Sequence, residues 1–236
     1  MIRVLGRHGF DFASRVRVAL RPFGHLRDRY LRDYVFIHIN KTGGSSVEKA
    51  LHLTFQHRTA QEKRAELGED AWRRKFVFSV VRNPWDRVAS HYFFRVKTNQ
   101  TELGGGRMGF NEWVRRAYGE NDPDVYDRPK MFMPQIDWIV DEEGNVIVDF
   151  IARFENLQSD FEVICRRLRV RASLPHLKSS GKGDYRGHYD NESIAVVRRW
   201  FQRDIARFGY HFDAGAGSLV ERRNIVQSAV DTFDEH

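Results

Sequence analysis

A short apolar run that passes directly into a glycine-rich turn constrains the fold of this chain more than any other feature. Residues 34–39 (YVFIHI) are β-branched and aromatic, and the run has the length of a buried strand. Residues 40–46 follow as NKTGGSS, after which apolar residues recur at helical spacing at Val47, Ala50 and Leu51. The pattern predicts a strand, a tight turn and a helix.

A second unit of the same kind lies further along the chain. Residues 76–81 (FVFSVV) predict another buried strand. It ends at residues 82–84 (RNP), whose asparagine is suited to cap a helix and whose proline suits the first helical position. Two strand–turn–helix units, with a helical stretch between them, predict a parallel sheet.

The remaining apolar patterns predict one more strand and two more helices. Residues 146–154 (VIVDFIARF) predict the third strand. Apolar residues at helical spacing predict helices over 157–168 and 190–208, and Gly209 is suited to end the second. We therefore expect an α/β fold: a three-layer, P-loop-like domain with a short, mostly parallel central sheet flanked by helices.

Composition excludes several classes of protein. The chain has 236 residues, 41% of them hydrophobic, which suits one large domain at about 150 residues per domain and excludes disordered and collagen-like chains. No run of about 18 apolar residues predicts a membrane span, and arginine and aspartate interrupt the N-terminal apolar residues. The single cysteine, Cys165, cannot form an internal disulfide. We expect a cytoplasmic protein.

Positive charge is concentrated in residues 1–33. This segment has eight arginines and three aspartates, so it carries +5 of the net +7 of the chain. Two interpretations stay open for this basic arm. It is either a solvated helix that docks on its own domain, or a peripheral contact with an anionic surface such as the inner face of a membrane.

The turn at residues 40–46 has the composition of an anion-binding loop. Gly43 and Gly44 let the backbone approach a ligand closely, and Lys41 supplies a point charge. Hydroxyl groups come from Thr42, Ser45 and Ser46. The loop is not a Walker A motif, because its lysine precedes the glycines. An ordinary tight turn is the alternative.

A second candidate anion site begins the next helix. Arg82 follows the strand directly, so its guanidinium could bind a phosphate through two hydrogen bonds. Ser90, two turns into the helix, could donate a hydroxyl. Pairing of Arg82 with a neighbouring carboxylate is the alternative. Two anion sites at the ends of parallel strands suit a ligand with two phosphate groups.

These motifs resemble those of a known enzyme family. FIHINKTGGSS and FSVVRNPWDRVASHYFF resemble, in order and spacing, the two nucleotide-binding motifs of sulfotransferases, in the carbohydrate-type family 2 form. Further matches are HRTAQEKRAELG, VDFIARFENLQSDF, LPHLKSSGKGDY and RRWFQRDIARFGYHF. The resemblance covers residues 34–212, which leaves the arm at 1–33 and a tail at 213–236.

The resemblance implies a donor site for 3′-phosphoadenosine 5′-phosphosulfate (PAPS), with no metal required. The loop from Lys41 to Ser46 would hold the 5′-phosphosulfate, and Lys41 would stabilise the charge that develops on the bridging oxygen. The other predicted donor-site residues are Arg82 and Ser90 at the 3′-phosphate, Trp85 at the nucleotide pocket, and Lys182 and Tyr185 on a later closing loop. The family often has proline where this chain has Asn40, which puts the stiffness of the loop in doubt.

Transfer to a hydroxyl group requires a general base, for which we select His57. Histidine suits proton transfer near neutral pH, and His57 lies at the start of the segment after the first helix. A surface or structural histidine is the alternative, and His52 and Glu48 are substitute bases.

The sequence thus predicts a sulfotransferase that acts on a hydroxyl of a carbohydrate or glycoconjugate. A small-molecule kinase of P-loop type, and a basic module that binds RNA or membrane, are the alternatives; no nucleic-acid partner is expected. We interpret residues 98–135 as a substrate-facing insertion with a helical stretch at 110–118. Its side chains suited to stack on or bond to sugars are Trp113, Tyr118, Tyr126 and Gln135.

Overall fold

A parallel sheet of three strands lies at the centre of the described part of the chain. The computed structural model describes residues 26, 30–175 and 184–213. The strands are β1 (Tyr34–Ile37), β2 (Phe76–Val81) and β3 (Phe150–Arg153), in the order β1-β2-β3. The register places Tyr34 opposite Phe76, and Phe78 opposite Phe150. The predicted fold class is confirmed.

Strand β2 is the central strand, and its side chains are buried on both faces of the sheet. Val77 and Val81 belong to the apolar cluster on one face, and Phe78 and Val80 to the cluster on the other. Alternation of side chains along a strand produces this division. A continuous apolar run, as in this strand, is typical of a parallel sheet covered on both sides.

Helices cover both faces of the sheet. Their bounds are α1 (Gly44–Ala50), α2 (Ala60–Leu67), α3 (Glu69–Arg73), α4 (Pro84–Lys97), α5 (Phe110–Val114), α6 (Pro129–Phe132), α7 (Leu157–Leu168), α8 (Asn191–Trp200) and α9 (Gln202–Phe208). A π-helical segment, Arg115–Glu120, continues α5. In the described ranges, no helix is both long enough and apolar enough to cross a bilayer.

Two predicted elements differ from the structure. The third strand begins at Phe150 rather than at 146, because Val146 forms an antiparallel bridge with Val140 instead of joining the sheet. The helix predicted over 190–208 is interrupted at Phe201, whose side chain is fully buried and whose backbone leaves the helical region. The break divides it into α8 and α9.

The side chains predicted to face substrate from the insertion are mostly buried. Trp113 packs against His91, and Tyr118 packs against Phe132. Gln135 is fully buried and bonds to the backbone of Arg82. Trp113 and Tyr118 pack against His91 on α4, and Gln135 bonds to the end of β2, so the sugar contacts predicted for these three side chains do not fit their burial.

A buried carboxylate on α9 holds the insertion against the sheet. Asp204 has no exposed surface and accepts hydrogen bonds from Gln135 N at 2.8 Å, Gln135 Nε2 at 3.2 Å and Ile136 N at 2.9 Å. Gln135 also donates to Arg82 O and accepts from Arg82 N, both at 2.8 Å. This network therefore joins α9 to the end of β2.

We predict that Asp204→Ala destabilises the protein strongly. The substitution leaves buried N–H donors without an acceptor, and each such donor costs about 1–3 kcal/mol. The expected loss in free energy of unfolding is about 3 kcal/mol or more, measured by urea denaturation. Asp124→Ala is the control, because that side chain is 82% exposed; equal losses in the two variants would contradict the prediction.

Candidate active site

The two predicted anion-binding turns lie side by side at the carboxyl edge of the sheet. Strands β1 and β2 are parallel neighbours, so the loops that follow them emerge at the same edge. The Arg82 guanidinium donates through Nη1 to the carbonyl oxygen of Lys41 at 3.1 Å. The structure therefore brings Lys41 and Arg82 together, as the sequence predicted for one ligand.

The glycine-rich loop leaves the start of α1 without a side-chain cap. Gly43 precedes the helix with φ +85°, a left-handed conformation that favours glycine. A Cβ on Gly44 would lie 2.1 Å from Cδ2 of His38, so only glycine fits against that ring. Ser46 N donates to the carbonyl of Gly43 at 3.0 Å, and because no side chain caps α1, the N–H groups of Gly44 and Ser45 are placed to meet an external anion.

Lys41 is held in an unusual environment. Its φ of +67° is rare for a lysine, and its Nζ lies 4.2 Å from the centre of the Phe94 ring. Burial, together with the positive charges of Arg82 and Lys97, lowers the pKa of Lys41 to about 8. A bound anion would offset this repulsion and favour the charged amine.

The three hydroxyl groups of the loop differ in exposure. Thr42 is fully buried and donates to the carbonyl oxygen of Ile39 at 2.9 Å, so its hydroxyl stabilises the turn. Ser45 is exposed and Ser46 is half-buried. The two serines, rather than Thr42, present hydroxyl groups that a ligand could reach.

Asn40 anchors the loop by hydrogen bonds. Its Nδ2 donates to the Met131 carbonyl at 2.9 Å. The buried guanidinium of Arg87 donates to both the side-chain oxygen of Asn40, at 2.6 Å, and its carbonyl, at 3.1 Å. These bonds fix the position at which the family often has proline.

Arg82 forms an ion pair with Asp86 in this structure, which was the alternative to a ligand contact. Its Nε and Nη2 donate to the two carboxylate oxygens at 2.8 and 2.7 Å, and the guanidinium lies 4.0 Å from the Phe154 ring. With a third bond to Lys41, two of its five N–H groups remain to bind an anion. Ser90 is buried on the same helix, α4.

Trp85 and Tyr185 both pack against Phe212. Trp85 is 1% exposed, and its Nε1 donates to the carbonyl of Ile194 at 3.2 Å. The hydroxyl of Tyr185 donates to the carbonyl of Phe212 at 2.5 Å, and both rings contact the Phe212 ring edge-on. These contacts are structural, and a nucleotide role for either residue stays a prediction. Lys182 lies outside the described residues.

His57 has one ring nitrogen committed to the backbone. Its Nδ1 lies 3.0 Å from the carbonyl oxygen of His38. Since a carbonyl only accepts, Nδ1 carries the hydrogen, and Nε2 of the neutral ring is left as the proton acceptor. Burial lowers the pKa of His57, which favours this neutral form. None of its described contacts is with Lys41.

A buried pair beneath the loop was not predicted from the sequence. Nδ1 of His38 donates to Oε1 of Glu48 at 2.8 Å, and both side chains are buried. The His38 ring also contacts the His57 ring, with centres 4.6 Å apart. No local spacing signals this pair, because His38 lies two positions before the turn and Glu48 lies in the second turn of α1, ten residues away. Glu48, a substitute base, is thus already engaged.

His52, the other substitute base, is exposed just past the end of α1. The helix begins at Gly44, so His52 lies about 10 Å of helix away from the loop. The structure therefore favours His57 over both substitutes.

We predict that Gly44→Ala distorts the loop. The added methyl group would overlap the His38 ring, so His38 or the backbone must shift, at a cost of about 1–3 kcal/mol. Thermal unfolding would show this loss as a lower midpoint. Gly109→Ala is the matched control, because no atom lies within 4 Å of its Cβ position. An unchanged midpoint for Gly44→Ala would contradict the geometry.

The comparisons with known proteins bear on the whole of this site. The family model described as the sulfotransferase family matches residues 27–211, a range that includes both turns and His57. No curated protein and no solved structure matches the chain significantly. Since the match covers more than half of the sequence, the chain belongs to the sulfotransferase family.

Proposed function

We propose that this protein transfers a sulfuryl group from PAPS to a hydroxyl group of a carbohydrate or glycoconjugate. One observation carries the choice of donor: the Lys41 loop and Arg82 meet at one edge of the sheet, joined by a 3.1 Å hydrogen bond. This arrangement offers two cationic sites to a ligand with two separated anionic groups. Membership of the sulfotransferase family supports the reaction class.

The loop and Arg82 would divide the donor between them. Bound PAPS supplies the activated sulfuryl group. The first N–H groups of α1, with Ser45 and Ser46, would bind the 5′-phosphosulfate, and Arg82 with Ser90 would bind the 3′-phosphate. Lys41 would leave the Phe94 ring and stabilise the charge on the bridging oxygen, where it builds as the sulfur–oxygen bond breaks.

His57 would act as the general base. As the acceptor oxygen forms its bond to sulfur, Nε2 of His57 would take the hydroxyl proton. His38 is the positioning residue for this step, because its carbonyl fixes the tautomer of His57 and its ring packs against the His57 ring. Glu48 in turn fixes the His38 ring.

Two exposed aromatic side chains are candidates for acceptor contacts. Phe55 is 53% exposed and contacts the His57 ring edge-on, with ring centres 4.8 Å apart. Phe94 is 43% exposed and contacts Lys41. An exposed aromatic face suits stacking on a sugar ring. Phe55 and Phe94 would stack on the acceptor sugar in place of Trp113 and Tyr118, which are buried.

We predict that 3′-phosphoadenosine 5′-phosphate (PAP), the spent donor, stabilises the protein. At about a hundredfold excess over Kd, a ligand adds about 2.7 kcal/mol, which raises the unfolding midpoint by roughly 2–4 °C per kcal/mol. Lys41→Ala and Arg82→Ala should each weaken binding by about 10- to 100-fold, since each removes a charge-assisted contact.

The control for this experiment is Lys49→Ala, which removes an exposed lysine from α1. Each variant is compared with its own midpoint without ligand, because Arg82→Ala also loses bonds within the protein. A shift with ATP and magnesium but not with PAP would favour a kinase. No shift with either ligand would make both turns structural and overturn the donor assignment.

We predict a bell-shaped pH profile for kcat/KM. His57 must be neutral to accept a proton, and its pKa is lowered from 6.5, so activity rises with pH through a value below 6.5. Lys41 must be charged, so activity falls as pH increases through about 8. His57→Asn should lower kcat by about 100-fold or more and remove the acidic limb.

His52→Asn is the matched control, because it removes an exposed histidine at the far end of α1. It should leave both limbs and kcat unchanged. A normal acidic limb in His57→Asn would show that another group is the base. Binding of PAP by His57→Asn separates that result from failure of the donor site.

A further inference from the structure

A group of exposed arginines lies at the amino edge of the sheet, opposite the candidate active site. Helix α7 follows β3 and returns antiparallel to it, so its last turn lies near the starts of the strands. The contact of Arg167 with the ring of Phe76, 5.7 Å away at the first residue of β2, fixes this placement. We name this group the amino-edge patch; its members are Arg74, Arg166, Arg167, Arg169 and Arg171.

The charges of the amino-edge patch are not neutralised. All five arginines are exposed to solvent. No carboxylate in the described part of the chain lies within 4 Å of them. The exposed Arg198, Arg199 and Arg207 of α8 and α9 likewise have no carboxylate partner among the described residues, but no large apolar side chain of those two helices is exposed beside them. Water and salt screen these exposed charges, but five like charges on one edge give it a positive potential that attracts anionic partners.

Exposed apolar side chains accompany these arginines. Val163 is 39% exposed and lies one helical turn before Arg166 and Arg167, and Val170 is 36% exposed and lies between Arg169 and Arg171. The chain enters the same edge through residues 30–33, where Lys75 donates to the carbonyl of Arg32. Leu31 and Tyr30 there are 79% and 68% exposed. Arginines mixed with exposed apolar groups suit the interface of a lipid bilayer better than the polar groove of a nucleic acid.

The segment that precedes β1 in the sequence carries further positive charge. Residues 1–33, which carry a net charge of +5, are joined covalently to β1 at its first residue. Membrane attachment through anionic lipids increases with each basic residue near the surface. The described end of this segment, residues 30–33, lies beside the amino-edge patch, where Lys75 bonds to Arg32.

We infer that the amino-edge patch docks the protein on a bilayer that contains anionic lipids. Strands of four to six residues separate this edge from the carboxyl edge, where Lys41 and Arg82 lie. The docked protein would therefore hold its candidate active site away from the lipid, open to acceptors in solution. This inference does not depend on the identity of the donor or of the acceptor.

The test is sedimentation of the full chain with vesicles of phosphatidylcholine mixed with phosphatidylglycerol, compared with phosphatidylcholine alone. Binding to the mixed vesicles should decrease with added salt. The triple variant Arg166→Gln, Arg169→Gln and Arg171→Gln should lower the partition coefficient by at least about tenfold, since each basic residue near the surface contributes. Its binding of PAP should be unchanged.

The matched control removes three exposed arginines from α8 and α9: Arg198→Gln, Arg199→Gln and Arg207→Gln. Equal losses in the two triple variants would overturn the inference, because net charge alone would then explain binding. Equal binding by the patch variant and the unmodified chain would assign any attachment to the arm instead.

A second variant tests the apolar part of the patch. Val163→Ser with Val170→Ser should weaken vesicle binding and leave binding to heparin unchanged. Binding of the unmodified chain to heparin but not to mixed vesicles would identify a soluble polyanion as the partner and overturn the inference.

Discussion

The buried guanidinium of Arg87 connects three parts of the protein that sequence separates widely. It donates to Asn40 in the glycine-rich loop and to the carbonyl of Met133 in the insertion, while its own backbone lies in α4. Asn40 completes the connection by donating to Met131. Removing a buried charge from water is costly, and these carbonyl acceptors offset the cost only if all three parts keep their positions. The loop that carries Lys41 is therefore anchored both to α4 and to the insertion.

Helix α4 carries a second buried arginine on the same face as Arg87. Arg87, His91 and Arg95 lie one helical turn apart on α4, and all three are buried. Burial and the adjacent arginines lower the pKa of His91 well below its ordinary value, so that ring is neutral. Arg95 is compensated by Asp127 at 2.9 Å. Arg87 has only carbonyl and amide oxygens as direct acceptors, and the buried carboxylate of Asp204 offsets part of its charge from further away.

Local patterns predicted the parts of the fold that depend on local chemistry. The run at 76–81 and the proline at 84 place β2 and α4 correctly, because strand burial and helix initiation depend on a few adjacent residues. The pairing of His38 with Glu48 and the ring of Phe94 under Lys41 depend on tertiary packing, which no spacing in the sequence reports. The roles of side chains in the insertion also depend on tertiary packing. Trp113 and Tyr118 are as suitable for a core as for a sugar, and only the position of α4 decides between them.

The arginines at the two edges of the sheet have different roles, because those at one edge are buried and those at the other are exposed. At the carboxyl edge, Arg82 and Arg87 are nearly fully buried and most of their N–H groups have protein acceptors, so they set the shape of the loops. At the amino edge, the arginines of the amino-edge patch are exposed and have no carboxylate partner among the described residues, so their charge faces the solvent. The net charge of +7 does not distinguish the buried arginines from the exposed ones, because it counts both. The chemistry of a partner follows from where the charge is left uncompensated and not from its sum.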